Sequence, residues 1–130
     1  MLMKKLAAGV TSVLAGGLVL VAPAGAAQAV PPCKQPAPQV EHYGRLIRLW
    51  WCDGTSGTRR GYHGQVLYTS SGSEQLFLRS GTGFVTVPVS IPDDGAVSHN
   101  TDTVGDWGSP WRTCLQIAHV GEKCTAQGSA

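Results

Sequence analysis

From Val30 onward, no segment repeats apolar residues at the three- and four-residue spacing of a helix over a helical length. Strands are therefore the way left for this part of the chain to bury its apolar side chains. The densest run of β-prone residues is Arg45 to Cys52, Arg-Leu-Ile-Arg-Leu-Trp-Trp-Cys. In an extended chain Ile47, Leu49 and Trp51 share one face, and Arg48, Trp50 and Cys52 share the other, so one face is expected to be buried.

The same period recurs downstream. Tyr62 to Thr69 places Tyr62, Val66 and Tyr68 together. Gln75 to Arg79 opposes Leu76 and Leu78 to Phe77. Trp111 to His119 groups Trp111, Thr113, Leu115 and Ile117 against Arg112, Cys114 and Gln116. Phe84 to Ile91 alternates most cleanly, with Val85, Val87, Val89 and Ile91 on one face. Pro88 lacks an N–H for the ladder, which puts that strand at a sheet edge or beside a bulge. Ala96 to Val104 reads as a weak polar strand. Thr55 to Arg60, Ser70 to Ser73, Ser80 to Gly83 and Pro92 to Gly95 read as turns. Five to six short strands with frequent turns predict an all-β fold, a small antiparallel β-sandwich or barrel.

Residues 1–29 have the form of an export signal. Lys4 and Lys5 precede an apolar stretch from Leu6 to Ala22, Pro23 and Gly25 interrupt it, and Ala27-Gln28-Ala29 has the small-x-small form that signal peptidase accepts. The expected cleavage is after Ala29, with Ala26 as the alternative. A membrane anchor fits less well, because the apolar stretch is short, is diluted by Gly and Thr, and ends in a cleavage motif. The expected organisation is a signal peptide (1–29), a Pro-rich lead-in (30–40), and a single β-domain with a short C-terminal tail (41–130). The ten basic residues include the two lysines of the leader, so from Val30 eight basic residues balance eight acidic ones. A neutral domain lacks the basic face of a nucleic-acid binder, and no charge run suggests a membrane surface once the signal is gone.

Cys33, Cys52, Cys114 and Cys124 all lie in the exported part. An even number of thiols in a small secreted chain predicts two disulfides. None of the cysteines has the close partner of a zinc site, so no metal is expected. Order along the chain favours Cys33–Cys52 and Cys114–Cys124, each tying a tail to the sheet. The rival joins Cys52 to Cys114 and the tails to each other; its longer loop is worth only about 1 kcal/mol more.

His42, His63, His99 and His119 are scattered, and no spacing with Glu41, Asp53, Glu74, Asp102 or Asp106 singles out an acid–base set. There is no Gly-x-Ser-x-Gly elbow, so no catalytic residue and no cofactor are assigned. The aromatics carry more information. Trp50 and Trp51 are adjacent on a strand and cannot face the same core. The expectation is Trp51 and Trp111 in the core, with Trp50 either outside or over the Cys33 segment. Exposed tryptophans on a weakly charged β-scaffold suit stacking on sugar or anchoring a protein, which makes Trp50 and Trp107 the candidate ligand-binding residues.

Leu46-Ile47-Arg48-Leu49-Trp50-Trp51-Cys52 and Ser109-Pro110-Trp111-Arg112-Thr113-Cys114 resemble segments of small exported, disulfide-bonded proteins of uncharacterised function from high-GC Gram-positive bacteria. The chain departs from that pattern after Cys52, where Gly57 to Gly61 intervene. The resemblance implies an exported, disulfide-bonded context and no catalytic residues. The leading expectation is a secreted, non-enzymatic domain that binds a polysaccharide or an extracellular protein. The alternatives are an inhibitor of extracellular proteases, presenting Thr55 to Arg60 or Gly105 to Pro110, and a small secreted hydrolase such as a ribonuclease.

Overall fold

Nine strands form among the residues described by the computed structural model, 30–68 and 73–130. They are β1 (Cys33–Lys34), β2 (Val40–His42), β3 (Arg45–Cys52), β4 (Gly61–Leu67), β5 (Glu74–Ser80), β6 (Val89–Ser90), β7 (Ser98–Asn100), β8 (Trp111–Ile117) and β9 (Gly121–Cys124). The export-signal reading of residues 1–29 and most of the expected Ser70 to Ser73 turn lie outside the described residues. Four strands are long, and the expected count of five to six rises to nine because short edge pairings add to them.

All pairings are antiparallel and make two sheets. In the first, β3 pairs with β4 along its length, from Leu46 opposite Leu67 to Cys52 opposite Gly61, and β7 lies against β4. The other edge of β3 is shared by β1 and β2. The second sheet runs β6-β5-β8-β9. Period-two alternation supplies each sheet with one apolar face, and these two faces meet. Ile47 and Val66 pack against Leu76, Ile91, Leu115 and Ile117, while Leu49 and Tyr62 pack against Leu78 and Trp111. The fold is an antiparallel β-sandwich.

Two contacts lock the sheets at close range. Gly64 has no Cβ, and one placed there would lie 2.7 Å from Thr113 Cγ2, so a larger residue would push the sheets apart. The Thr113 hydroxyl donates to the Arg48 carbonyl at 2.9 Å. At the start of β3, Arg45 donates through Nη2 to the fully buried Glu74 at 2.7 Å, joining β3 to the first residue of β5.

The disulfides are Cys33–Cys52 and Cys114–Cys124. Each links directly opposed residues of neighbouring strands, β1 to β3 and β8 to β9. The nested alternative is thereby excluded. Two structural bridges mark an oxidising environment. No helix among the described residues is long and apolar enough to cross a membrane.

Four expectations about segments change. The Pro-rich lead-in contributes β1 and buries Ala37 in the core. The strand after Gly61 ends at Leu67, so Tyr68, which adopts φ 62°, leaves the face it was expected to share and is 60% exposed. The C-terminal segment supplies β9 and a further bridge from Gly128 to Trp111. The fourth concerns Phe84 to Ile91. Arg79 opposes Val85 and Leu76 opposes Val89, so Val87 and Pro88 together face Phe77. That extra residue is a β-bulge, and it reverses the alternation. Val89 and Ile91 turn inward, whereas Val85 and Val87 turn outward, Val87 being 86% exposed.

Candidate functional site

Trp107 sits on a 3-10 turn, Asp106–Gly108, between β7 and β8. The turn is clamped by the buried Trp111, whose indole N–H donates to the Gly105 carbonyl at 3.0 Å. Gly108 is required there, because a Cβ would meet the Trp111 ring at 2.3 Å. Ser80 adds a hydroxyl donated to the Gly108 carbonyl. With its backbone held on both sides, Trp107 projects outward and is 62% exposed. Its ring meets Trp111 and Phe84 edge to face, each with centroids 5.2 Å apart.

Trp107 forms one wall of a groove of about 290 Å³ at the open side of the sandwich, where the bulged edge segment approaches the loop after β7. Phe84, Val87, Val89 and Val104 make the rest of its apolar lining, and Thr86, Thr101 and Asp102 its polar part. The bulge that removes Val87 from the sheet's regular alternation supplies one wall of this groove. Thr86 is fixed by accepting the Leu78 N–H on its hydroxyl at 2.9 Å, and Thr101 by accepting the Gly64 N–H at 2.9 Å. Asp102 is exposed.

Trp50 does not line this groove. It lies half-buried on the outer face of β3, opposite His63, with its indole N–H donated to Gln65 Oε1 at 2.7 Å. The two tryptophans singled out from sequence are therefore not brought together. Trp51 is not a fully buried core residue either. It is half-buried at the edge of the Leu49–Tyr62–Leu78–Trp111 cluster, and it, rather than Trp50, stands opposite Lys34 of the Cys33 segment.

No family model, curated protein or solved structure matches the chain. The reading of the site therefore rests on its own geometry.

The histidines fall in separate environments. His42 contacts the Gly121 carbonyl at 3.1 Å, His99 pairs with Asp94 at 3.1 Å, and His119 sits in the turn before β9. Burial lowers the pKa of His63. Asp53 is held below the usual carboxylate range first by the Thr55 hydroxyl and then by the Thr55 N–H, and Asp94 first by the Ala96 N–H. Those bonds brace turns. Thr58 bonds the Thr55 carbonyl through both N–H and hydroxyl, closing the 55–60 loop on itself. Cys114, Glu122 and Cys124 bring three potential metal ligands together, but the two sulfurs are bonded to each other.

Sequence reasoning missed Phe84, Val87 and Asp102 as neighbours of Trp107. It also missed a second concavity of about 400 Å³ at the other side of the 106–108 turn, lined in part by Lys34, Trp51, Arg60 and Tyr62. The available signal was Pro88, whose missing donor implied an irregular edge beside Val87.

Proposed function

We propose that this is a secreted, non-enzymatic binding domain for polysaccharide, which takes sugar at the Trp107 groove. The observation that carries the reading is an exposed indole, rigidly mounted on Trp111, beside the Asp102 carboxylate and two threonines. An aromatic face stacks on the apolar C–H face of a pyranose, and a carboxylate accepts two sugar hydroxyls from the side. The groove is sized for a sugar ring rather than for a protein surface. Its edge is also poorly suited to receiving a peptide strand, because Pro88 and the bulge interrupt the ladder that such a strand would extend. The signal-like leader and the two disulfides agree with work outside the cell.

The test is depletion of protein recovered from culture medium by insoluble cellulose, chitin and xylan, comparing the native chain with Trp107→Ala and Asp102→Asn. Retention of the native chain by one of these, and loss by Trp107→Ala, supports the reading. Equal behaviour of the native chain and Trp107→Ala on all three excludes it.

A further inference from the structure

We infer that the second concavity, at the Trp51 end of the sandwich, binds the acid group of an anionic sugar. Lys34, Trp51 and Tyr62 lie directly opposite one another across β1, β3 and β4. This places the Lys34 ammonium 5.6 Å from the centre of the Trp51 ring, and Arg60, just before β4, holds its guanidinium 5.2 Å from the same centre. The indole quadrupole attracts both cations, so each is held against the Trp51 ring.

Three other arginines of the domain are already engaged. Arg45 is paired with Glu74, Arg79 with Glu122, and Arg48 donates to Gln39. Among the described residues no carboxylate lies within ion-pairing distance of Lys34 or Arg60. Both cations line this concavity, where an acid group takes charge-assisted bonds from them.

The remaining walls extend the match beyond a bare anion. Ser109 and Ser129 present hydroxyls 2.8 Å from each other, and Tyr62 Oη accepts the Ala130 N–H at 2.8 Å. Asp106 is the side-chain carboxylate among the lining residues, an acceptor for sugar hydroxyls. The volume of about 400 Å³ exceeds what an inorganic anion fills and accommodates a sugar ring carrying the acid. The 106–108 turn separates the two sites, with Asp106 lining this one and Trp107 the groove. The inference rests on the polysaccharide reading for the sugar portion of the ligand, and on Lys34 and Arg60 for its acid.

The experiment is calorimetric titration of the secreted protein with sodium glucuronate, glucose and sodium sulfate at low ionic strength. The variants are Lys34→Gln/Arg60→Gln, the charge-preserving Lys34→Arg, and Trp107→Ala. Lys34 and Arg60 are exposed, so thermal melts of the double variant are expected to match the native chain. Glucuronate should bind more tightly than glucose or sulfate, weaken with added salt, and weaken at least about tenfold in the double variant. It should be retained by Lys34→Arg and by Trp107→Ala. Binding that survives the double substitution, glucose or sulfate binding as tightly as glucuronate, or no heat with glucuronate overturns the inference. Because Trp107→Ala is expected to lose polysaccharide depletion but keep glucuronate, failure here and failure of the groove give different patterns.

Discussion

The Thr113 hydroxyl reaches across the interior of the sandwich to the Arg48 carbonyl, 2.9 Å away, beside Gly64, whose missing Cβ leaves room for the Thr113 side chain. Thr113 is fully buried, so its hydroxyl depends on that acceptor. Thr113→Val removes the bond and leaves a buried carbonyl with one partner fewer, an expected cost of about 1–3 kcal/mol. Gly64→Ala introduces a methyl 2.7 Å from Thr113 Cγ2 and 3.2 Å from Leu78 Cδ2. Overpacking of this kind costs about 1–3 kcal/mol. Chemical denaturation of each variant checks both values, and because the residues touch, the double variant should depart from additivity.

The buried carboxylate of Glu74 makes a second prediction. Arg45 is its ion partner, with a side chain only 18% exposed, so the pair is largely shielded from water. Arg45→Met leaves that carboxylate in the interior without its guanidinium, at an expected cost of about 3–5 kcal/mol. The unfolding midpoint in urea should fall accordingly. Replacing both residues by apolar ones of similar volume should recover much of the loss.

The sandwich and its core were legible from the chain because period two is a local property. Ile47, Leu49, Leu76, Leu78, Leu115 and Ile117 could be placed on buried faces one strand at a time, and all six are buried. The disulfide pairing was favoured by order along the chain, but the ladders that set the cysteines opposite each other, β1 on β3 and β9 on β8, were not visible in the sequence. Phe84 to Ile91 was misread because alternation assumes an unbroken ladder, and a single extra residue at Val87–Pro88 exchanges its faces. Trp51 was misread because a strand's pattern does not reveal where the opposing sheet stops. The segment Gly121–Cys124 has no apolar alternation and is held in the second sheet by pairing with β8 and by the Cys114 bond. Trp107 could be singled out from its glycine-flanked loop, but its groove could not, because the walls come from segments far apart in sequence.

Each disulfide should contribute about 2–4 kcal/mol. The Cys33–Cys52 bond spans 19 residues and the Cys114–Cys124 bond 10, a difference that chain entropy values at only roughly half a kcal/mol. Cys33→Ser/Cys52→Ser and Cys114→Ser/Cys124→Ser should therefore lower stability by similar amounts. Thermal melts of the two variants beside the reduced native protein check this. An unchanged midpoint on reduction would show that the ladders hold without their bridges.

Stability should also depend on pH through His63. Burial lowers its folded-state pKa below the ordinary 6.5, so on acidification the unfolded chain takes up the proton first. Stability is then unaffected well above pH 6.5, falls as pH drops through that value, and stops falling once the lower folded-state value is passed. The slope of unfolding free energy against pH should be shallower in His63→Gln across that window. An unchanged slope would place the acid sensitivity elsewhere.

The most direct test of the binding account is Trp107 itself. Its ring is mostly exposed and meets the buried Trp111 edge to face, so Trp107→Ala should leave the domain folded, as thermal melts check. The account predicts that the native protein is depleted from solution by an insoluble polysaccharide, that soluble fragments of that polysaccharide change its tryptophan fluorescence, and that the folded Trp107→Ala variant shows neither effect. A folded Trp107→Ala variant that is depleted as fully as the native protein would contradict it.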